Sequence, residues 1–301
     1  MSIGTVINFC TNEARFLGPC IQEALRFSAQ VIVPVCDHFF DGRPENRPLL
    51  EEIYKAFPEV LFVEFPFVQM PKRVFSHVDP PHFWPSLSRL VASEFLRPEI
   101  DSVLFLDTDE VADGRRLAKW LKENDISHYT ALKFANYWYF REPRYRAKKF
   151  EDSVVFVKRC VLRSQLLLHE KERDACFDLV PGPKKRSVTG DDGRPLFHHY
   201  SWVRTPEEMI RKVTTWSHRE DRNWVDLVKK EFETPFKGTD FIHGYEFETV
   251  EPLFEADAFS FSPRGRPHLI RLTSGELLEL VEEVYPSSFS KFLKLFWAKK
   301  T

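Results

Sequence analysis

A chain of 301 residues, 43% of them hydrophobic, is long enough to bury one large α/β core or two small ones, which excludes disorder as a global state. Its formal net charge of −2, with acidic and basic residues intermixed, argues against nucleic acid as the main partner and for a small molecule. The cysteines, at positions 10, 20, 36, 160 and 176, show no CxxC spacing and predict free thiols in a reducing, cytoplasmic compartment.

In chain order, β-rich runs fall at Thr5 to Phe9, Gln30 to Val35, Val60 to Phe65 and Ser102 to Leu106. Helical patterns lie between them, around Pro19 to Ser28, Leu49 to Phe57 and Ser86 to Leu96. This βαβαβαβ order predicts a mostly parallel central sheet flanked by helices. Ligands of such sheets sit beyond the carboxyl ends of the strands, where the loops Cys10 to Glu13, Cys36 to Asp41 and Asp107 to Glu110 all carry acids. A helix near Arg115 to Lys122 follows, then α+β texture: strands at Ala131 to Phe140 and Ser153 to Lys158, a helical stretch at Arg163 to Arg173, and a polar loop at Lys184 to Arg194. Thr205-Pro206-Glu207-Glu208 supplies an N-cap, a proline at the first helical position and a capping-box acid, which starts a helix predicted to run to about Glu220.

Val103-Leu104-Phe105-Leu106 runs directly into Asp107-Thr108-Asp109-Glu110. Carboxylates with apolar flanks raise one another's pKa unless a counter-charge is present. A divalent cation is one solution, and Asp107-x-Asp109 offers hard oxygen ligands for Mg²⁺ or Mn²⁺, which keep positions for water and substrate phosphates. A solvated turn capping the helix at Arg115 is the other reading.

The first strand with Asn12-Glu13-Ala14-Arg15-Phe16-Leu17, the second ending near Asp37, Arg89, and Leu106-Asp107-Thr108-Asp109-Glu110 together resemble the GT-A (Rossmann-like) fold of nucleotide-sugar glycosyltransferases, in its family-two-like branch. The resemblance covers about the first 120 residues. It implies a nucleotide diphosphate-sugar donor, UDP-sugar favoured, with Asp37, Asn12 and Glu13 near the nucleoside, Asp107 near the ribose and Asp109 on the metal. His198-His199-Tyr200-Ser201-Trp202-Val203-Arg204 is similar to a segment found in uncharacterised bacterial and viral members of that group. The resemblance makes His199 the first candidate to complete the metal site and His198 the second; His243 is a third. Adjacent histidines on a strand point to opposite faces, so only one of the pair can reach the metal.

By the same resemblance, inverting enzymes place an acceptor-activating carboxylate about 80 residues after the D-x-D. Gly190-Asp191-Asp192-Gly193 falls there, with Asp192 ahead of Asp191; the family's usual Glu-Asp pair and its Q-x-x-R-W element are not visible. A polar turn is the plain account of GDDG. Arg89 and Arg204 are the expected diphosphate-facing cations, each with a structural arginine as the alternative. Asn136 to Phe140 is either an acceptor-stacking platform or core.

The expected organisation is a catalytic domain over 1–204, with a nucleotide half to about 120 and an acceptor half from 121, and a helical extension over 205–301 packed on it. Phe289, Phe292, Leu293, Phe296 and Trp297 recur at helical spacing among lysines, so the final segment is an amphipathic basic helix that either packs on the domain or lies on an anionic membrane surface. No export signal and no apolar run of the ~18 residues a spanning helix needs is present in the sequence. The expected activity is transfer of a sugar to a glycan, lipid or small acceptor. A haloacid dehalogenase-type phosphatase and a silent binding module of the same fold are the alternatives; three strand-helix units ahead of Asp107 argue against the phosphatase.

Overall fold

The computed structural model describes residues 1–39, 41–68, 80–216, 221–254 and 260–284. The first half alternates β1 (Ile3–Asn8), α1 (Ala14–Ala24), β2 (Gln30–Cys36), α2 (Arg47–Ala56), β3 (Leu61–Phe65), α3 (Pro80–Glu94) and β4 (Ser102–Asp107). These strands pair in parallel in the order β3-β2-β1-β4. Both faces are covered. Ile3, Ile7, Val31, Val33, Leu104 and Leu106 pack on the side of α1 and α2, while Val6, Ile32, Val103 and Phe105 face α3, so each strand is a near-continuous apolar run. The α1 helix begins before the predicted start and contains Pro19. Burial of Phe16, Leu17, Cys20 and Ile21 outweighs the ~3 kcal/mol that an interior proline costs.

After β4 come β5 (Glu110–Ala112), α4 (Gly114–Glu123), β6 (Ala131–Phe140), β7 (Glu142–Ala147), β8 (Glu151–Lys158), α5 (Ser164–Leu167), α6 (Ala175–Asp178), β9 (Lys184–Val188) and β10 (Phe197–Trp202). β8 joins β4 antiparallel and β6 joins β8 antiparallel, so the sheet changes sense beside β4. The expected α/β sheet flanked by helices is present. Two local expectations differ. Arg163 to Arg173 is helical only over α5, with a separate 3₁₀ turn at Glu172–Asp174. Lys184 to Val188 is not loop but β9, paired with β6; its exposed lysines suit an edge strand, and only Val188 is buried.

The remainder supplies α7 (Pro206–Thr215), α8 (Trp224–Phe232), β11 (Phe247–Thr249), β12 (His268–Arg271) and α9 (Ser274–Val284). β11 pairs with β7 and β12 with β3, so residues beyond 204 add edge strands at both ends of the sheet as well as helices. Thr205 caps α7 through the complete capping box with Glu208, and the helix stops at Thr215. The amphipathic basic stretch around Phe289 to Trp297 lies outside the described residues. Among the described residues no helix is long and apolar enough to cross a membrane.

Candidate functional site

At the carboxyl ends of β1 and β4 lies a cavity of about 350 Å³, within the range of ligand pockets. Its walls are built by chain topology. β4 ends at Asp107, whose neighbour Thr108 donates its N–H to the Asn8 carbonyl at the end of β1 (3.1 Å). The chain then turns through Asp109 into β5, which pairs antiparallel with β10 so that His199 stands opposite Glu110, and Tyr200 N–H bonds the Asp109 carbonyl (2.8 Å). α7 follows β10 directly and brings Lys212 over the same spot. Asn8, Asn12, Glu13, Arg89, Asp107, Asp109, Glu172, Arg173, His199 and Lys212 line the cavity.

The acids here are matched by the chain's own cations. Asp107 Oδ1 accepts from Arg89 Nη2 (2.9 Å), and its Oδ2 lies 3.4 Å from Arg173 Nη1. Glu110, fully buried, is forked by Arg173 and also accepts from Ser153 Oγ and the Asp107 N–H. Asp109 Oδ2 stands 3.1 Å from Lys212 Nζ and 3.4 Å from Arg204 Nη2. Glu13 binds Arg204 and lies 3.6 Å from Lys212, and Glu172 binds His82 and lies 3.8 Å from Arg89. Desolvation alone would raise the Asp107 pKa, but Arg173 and Arg89 outweigh it and hold the carboxyl well below the ordinary range. Four cations therefore answer five carboxylates. The counter-charge that the acids require comes from arginines and a lysine distant in sequence.

The donor set does not fit the metal role expected of Asp109, Asp107 and His199. Asp109 Oδ1 and His199 Nε2 face each other at 3.7 Å, but the other oxygen of Asp109 and both oxygens of Asp107 already face cations. A dication between Asp109 and His199 would lie beside Lys212 and Arg204, where like charges at ~4 Å repel by about 4 kcal/mol per unit pair at an effective dielectric of 20. Among the described residues no group of three or more His, Cys, Asp or Glu side chains is arranged to hold an ion.

The other expected residues divide. Arg89 is buried on the cavity wall, and among the described residues its Nε and Nη1, like Asn8 Oδ1 and His199 Nδ1, meet no hydrogen-bond partner. A buried polar atom left over in this way calls for an explanation, a ligand or a water among them. Arg204 is almost fully enclosed, donating to Ser201 O and standing over the Phe16 ring, so it props Glu13 and Asp109 from behind. Asp37 stabilises a loop: its Oδ1 accepts from Phe67 N–H (2.6 Å) and bonds His38 Nδ1 (2.7 Å). His198 points to the opposite face from His199, among Tyr137, Tyr139 and Tyr200. His243 packs on Trp138 and Tyr245, away from the cavity.

Asp191 and Asp192 are not brought to the cavity. They form a turn closed by Gly193 N–H to Gly190 O, with Asp192 held by Arg116 (2.7 Å) and Asp191 by Asn124 (3.2 Å), in a separate groove. Asn136 to Phe140 is core on both faces, not a platform: Tyr139 stacks on Tyr200, and Trp138 and Phe140 pack with Phe247. A larger open groove of about 980 Å³ lies beyond Arg204; its arginines 15, 141 and 144 are matched by Glu208, Glu231 and Glu142.

Three charged cavity residues were not foreseen from the sequence: Glu172, Arg173 and Lys212. Glu172 holds a left-handed backbone (φ 48°), which for a non-glycine residue is a strained conformation found preferentially at functional sites. The charged triplet Glu172-Arg173-Asp174 was the available signal. Lys212 looked like any lysine on a helix surface.

No family model and no curated protein matches the chain. Among solved structures it is similar to a 4-diphosphocytidyl-2C-methyl-D-erythritol synthase from Anaerococcus prevotii (TM-score 0.41, 11% identity, 64% of this chain and 88% of that one). It is also similar to residues 1–349 of TarS from S. aureus (0.39, 12%, 77% and 72%) and to the glycosyltransferase GlyE of Streptococcus pneumoniae (0.37, 12%, 77% and 64%). These are distant likenesses of fold and carry nothing finer.

Proposed function

We propose that the chain is a glycosyltransferase that moves a sugar from a nucleoside diphosphate-sugar, a UDP-sugar in the first instance, to a hydroxyl of a glycan, lipid or small acceptor. The observation that carries this reading is the convergence of Arg89, Arg173 and Lys212 with the carboxylates of Asp107, Asp109 and Glu172 on one cavity at the carboxyl edge of the sheet. Cations suit a diphosphate, and carboxylates suit sugar hydroxyls and the acceptor proton.

In the proposed step the acceptor oxygen attacks the anomeric carbon, the bond from that carbon to the diphosphate oxygen breaks, and the electron pair leaves on the diphosphate. Glu172 takes the acceptor proton, and attack on the face opposite the departing diphosphate makes the transfer inverting. This role passes from Asp192 to Glu172 because Glu172 lines the cavity and Asp192 does not. Burial would raise its pKa, but His82 and Arg89 hold it below the ordinary value, so it stands ready as the ionised base. The cytoplasmic address belongs to the proposal, as does a membrane-surface contact through residues 289–297; equal liposome flotation of the full chain and one truncated at 287 would remove the contact.

The test is a panel of nucleotide-sugars screened by thermal shift, followed by donor turnover. Stabilisation by one nucleoside diphosphate-sugar, with turnover lost in Glu172→Gln, is the expected result. Binding without turnover in the unaltered chain favours a silent module. Covalent trapping of a phosphate mimic on Asp107 favours the phosphatase, which the two arginines on that carboxylate argue against.

A further inference from the structure

The cavity contains a lysine where a dication would be expected. Lys212 Nζ lies 3.1 Å from Asp109 Oδ2 and 3.6 Å from Glu13 Oε1, with only 12% of its side chain exposed. It joins two carboxylates carried by different loops, one after β1 and one after β4, as a bound cation would. Its position is fixed by construction: α7 begins at the capping box of Thr205 and Glu208, immediately after β10, whose His199 faces the other oxygen of Asp109. The lysine also lines the cavity and a small neighbouring pocket. Arg204 closes the same carboxylate from behind.

Resting on the donor-site reading above, we propose that Lys212 is a built-in replacement for the metal: it neutralises Asp109 and receives the donor's diphosphate, so nucleotide binding needs no divalent ion. An ammonium has three donors and a compact charge. One donates to Asp109 while Glu13 stands 3.6 Å away, which leaves an N–H for a phosphate oxygen, and Arg173 and Arg89, which hold Asp107, share the load. A dication between Asp109 and His199 would lie beside the Lys212 ammonium and be repelled by it. Removing the lysine should therefore create a metal requirement that the unaltered chain lacks.

The experiment is isothermal titration of the full-length protein with UDP, in EDTA and in Mn²⁺, for the unaltered chain, Lys212→Gln and Lys212→Arg. The unaltered chain is expected to bind UDP in EDTA, with Mn²⁺ changing Kd by less than about threefold. Lys212→Gln should lose about tenfold or more in EDTA and regain affinity in Mn²⁺, because the ammonium that repels an ion between Asp109 and His199 is then gone. Lys212→Arg should retain most of the EDTA affinity, which separates loss of charge from loss of fold. UDP binding by the unaltered chain only when Mn²⁺ is present would overturn the proposal. So would a Lys212→Gln variant that binds like the unaltered chain in EDTA. No UDP binding under either condition would overturn the donor-site reading itself and this inference with it.

Discussion

Arg173 grips Glu110 with both terminal nitrogens while one of them also stands 3.4 Å from Asp107, so a single partly buried guanidinium ties β5 to the tip of β4. Glu110 has no exposed surface, and its carboxylate can be tolerated only because the arginine, Ser153 and the Asp107 N–H answer it. Arg173→Met should therefore destabilise the fold by about 3–5 kcal/mol, the usual result of stranding a buried charge. Arg173→Met with Glu110→Gln should be less damaging than the single change, because no charge is left behind. Urea denaturation of the three proteins measures this. A single variant within about 0.5 kcal/mol of the unaltered chain would mean that the pair bears no load.

His198 makes stability depend on pH. Burial, assisted by Arg146 and Arg116, pushes its pKa down to about 3, so the ring is neutral in the fold and bonded to the Tyr139 hydroxyl at 2.7 Å. An unfolded histidine titrates near ~6.5. Between that value and about 3 the unfolded chain takes up a proton that the folded chain refuses, so stability falls as pH falls, by at most about 1.4 kcal/mol per pH unit from this one group. Asp107, with its depressed pKa, acts in the same direction, but only below the ordinary carboxylate value of ~3.9. His198→Gln should flatten the slope between roughly pH 6.5 and 4. A denaturation series with an unchanged slope in that window would exclude His198 as its source.

What could be read from the sequence follows from the range over which each interaction acts. β1 to β4 were visible because strands covered on both faces must be apolar throughout, and the start of α7 was visible because a capping box is contained within four residues. The opposite orientation of His198 and His199 followed from strand parity alone. The counter-charges were hidden: Arg173 meets Glu110 across 63 positions and Lys212 meets Asp109 across 103. Nothing local distinguishes those side chains from solvated ones. β9 was hidden for a similar reason, since its lysines and arginine read as loop until β6 is placed beside them.

Asp192 and Glu172 give opposed expectations. Asp192 is exposed in the turn beside α4, where the Arg194 N–H and then Arg116 hold its carboxyl below the ordinary range, and it does not line the cavity. Asp192→Asn should leave donor turnover within about twofold of the unaltered value, since it touches no group of the site. Glu172→Gln should keep nucleotide affinity and lose about 100-fold or more in turnover, the range of a missing general base. Steady-state rates with matched UDP titrations separate the two. The reverse pattern would return the base to the GDDG turn.

Thr205 links helix stability to the site. Its hydroxyl accepts from the Glu208 N–H (3.3 Å) while Glu208 Oε2 accepts from the Thr205 N–H (2.8 Å), so the first turn of α7 is fixed two turns before Lys212. Thr205→Ala removes one half of this exchange and should cost about 1 kcal/mol, whereas Thr205→Ser should cost little. Fraying at the cap loosens the helix that holds Lys212 on Asp109, so nucleotide affinity should decline with stability in Thr205→Ala. Glu208→Gln, which retains a side-chain acceptor for the Thr205 N–H but gives up the 3.2 Å contact with Arg15, should have a smaller effect on both. Thermal melts paired with UDP titration test the coupling: a melting temperature that drops in Thr205→Ala while affinity stays fixed would show that Lys212 is held by its carboxylates alone.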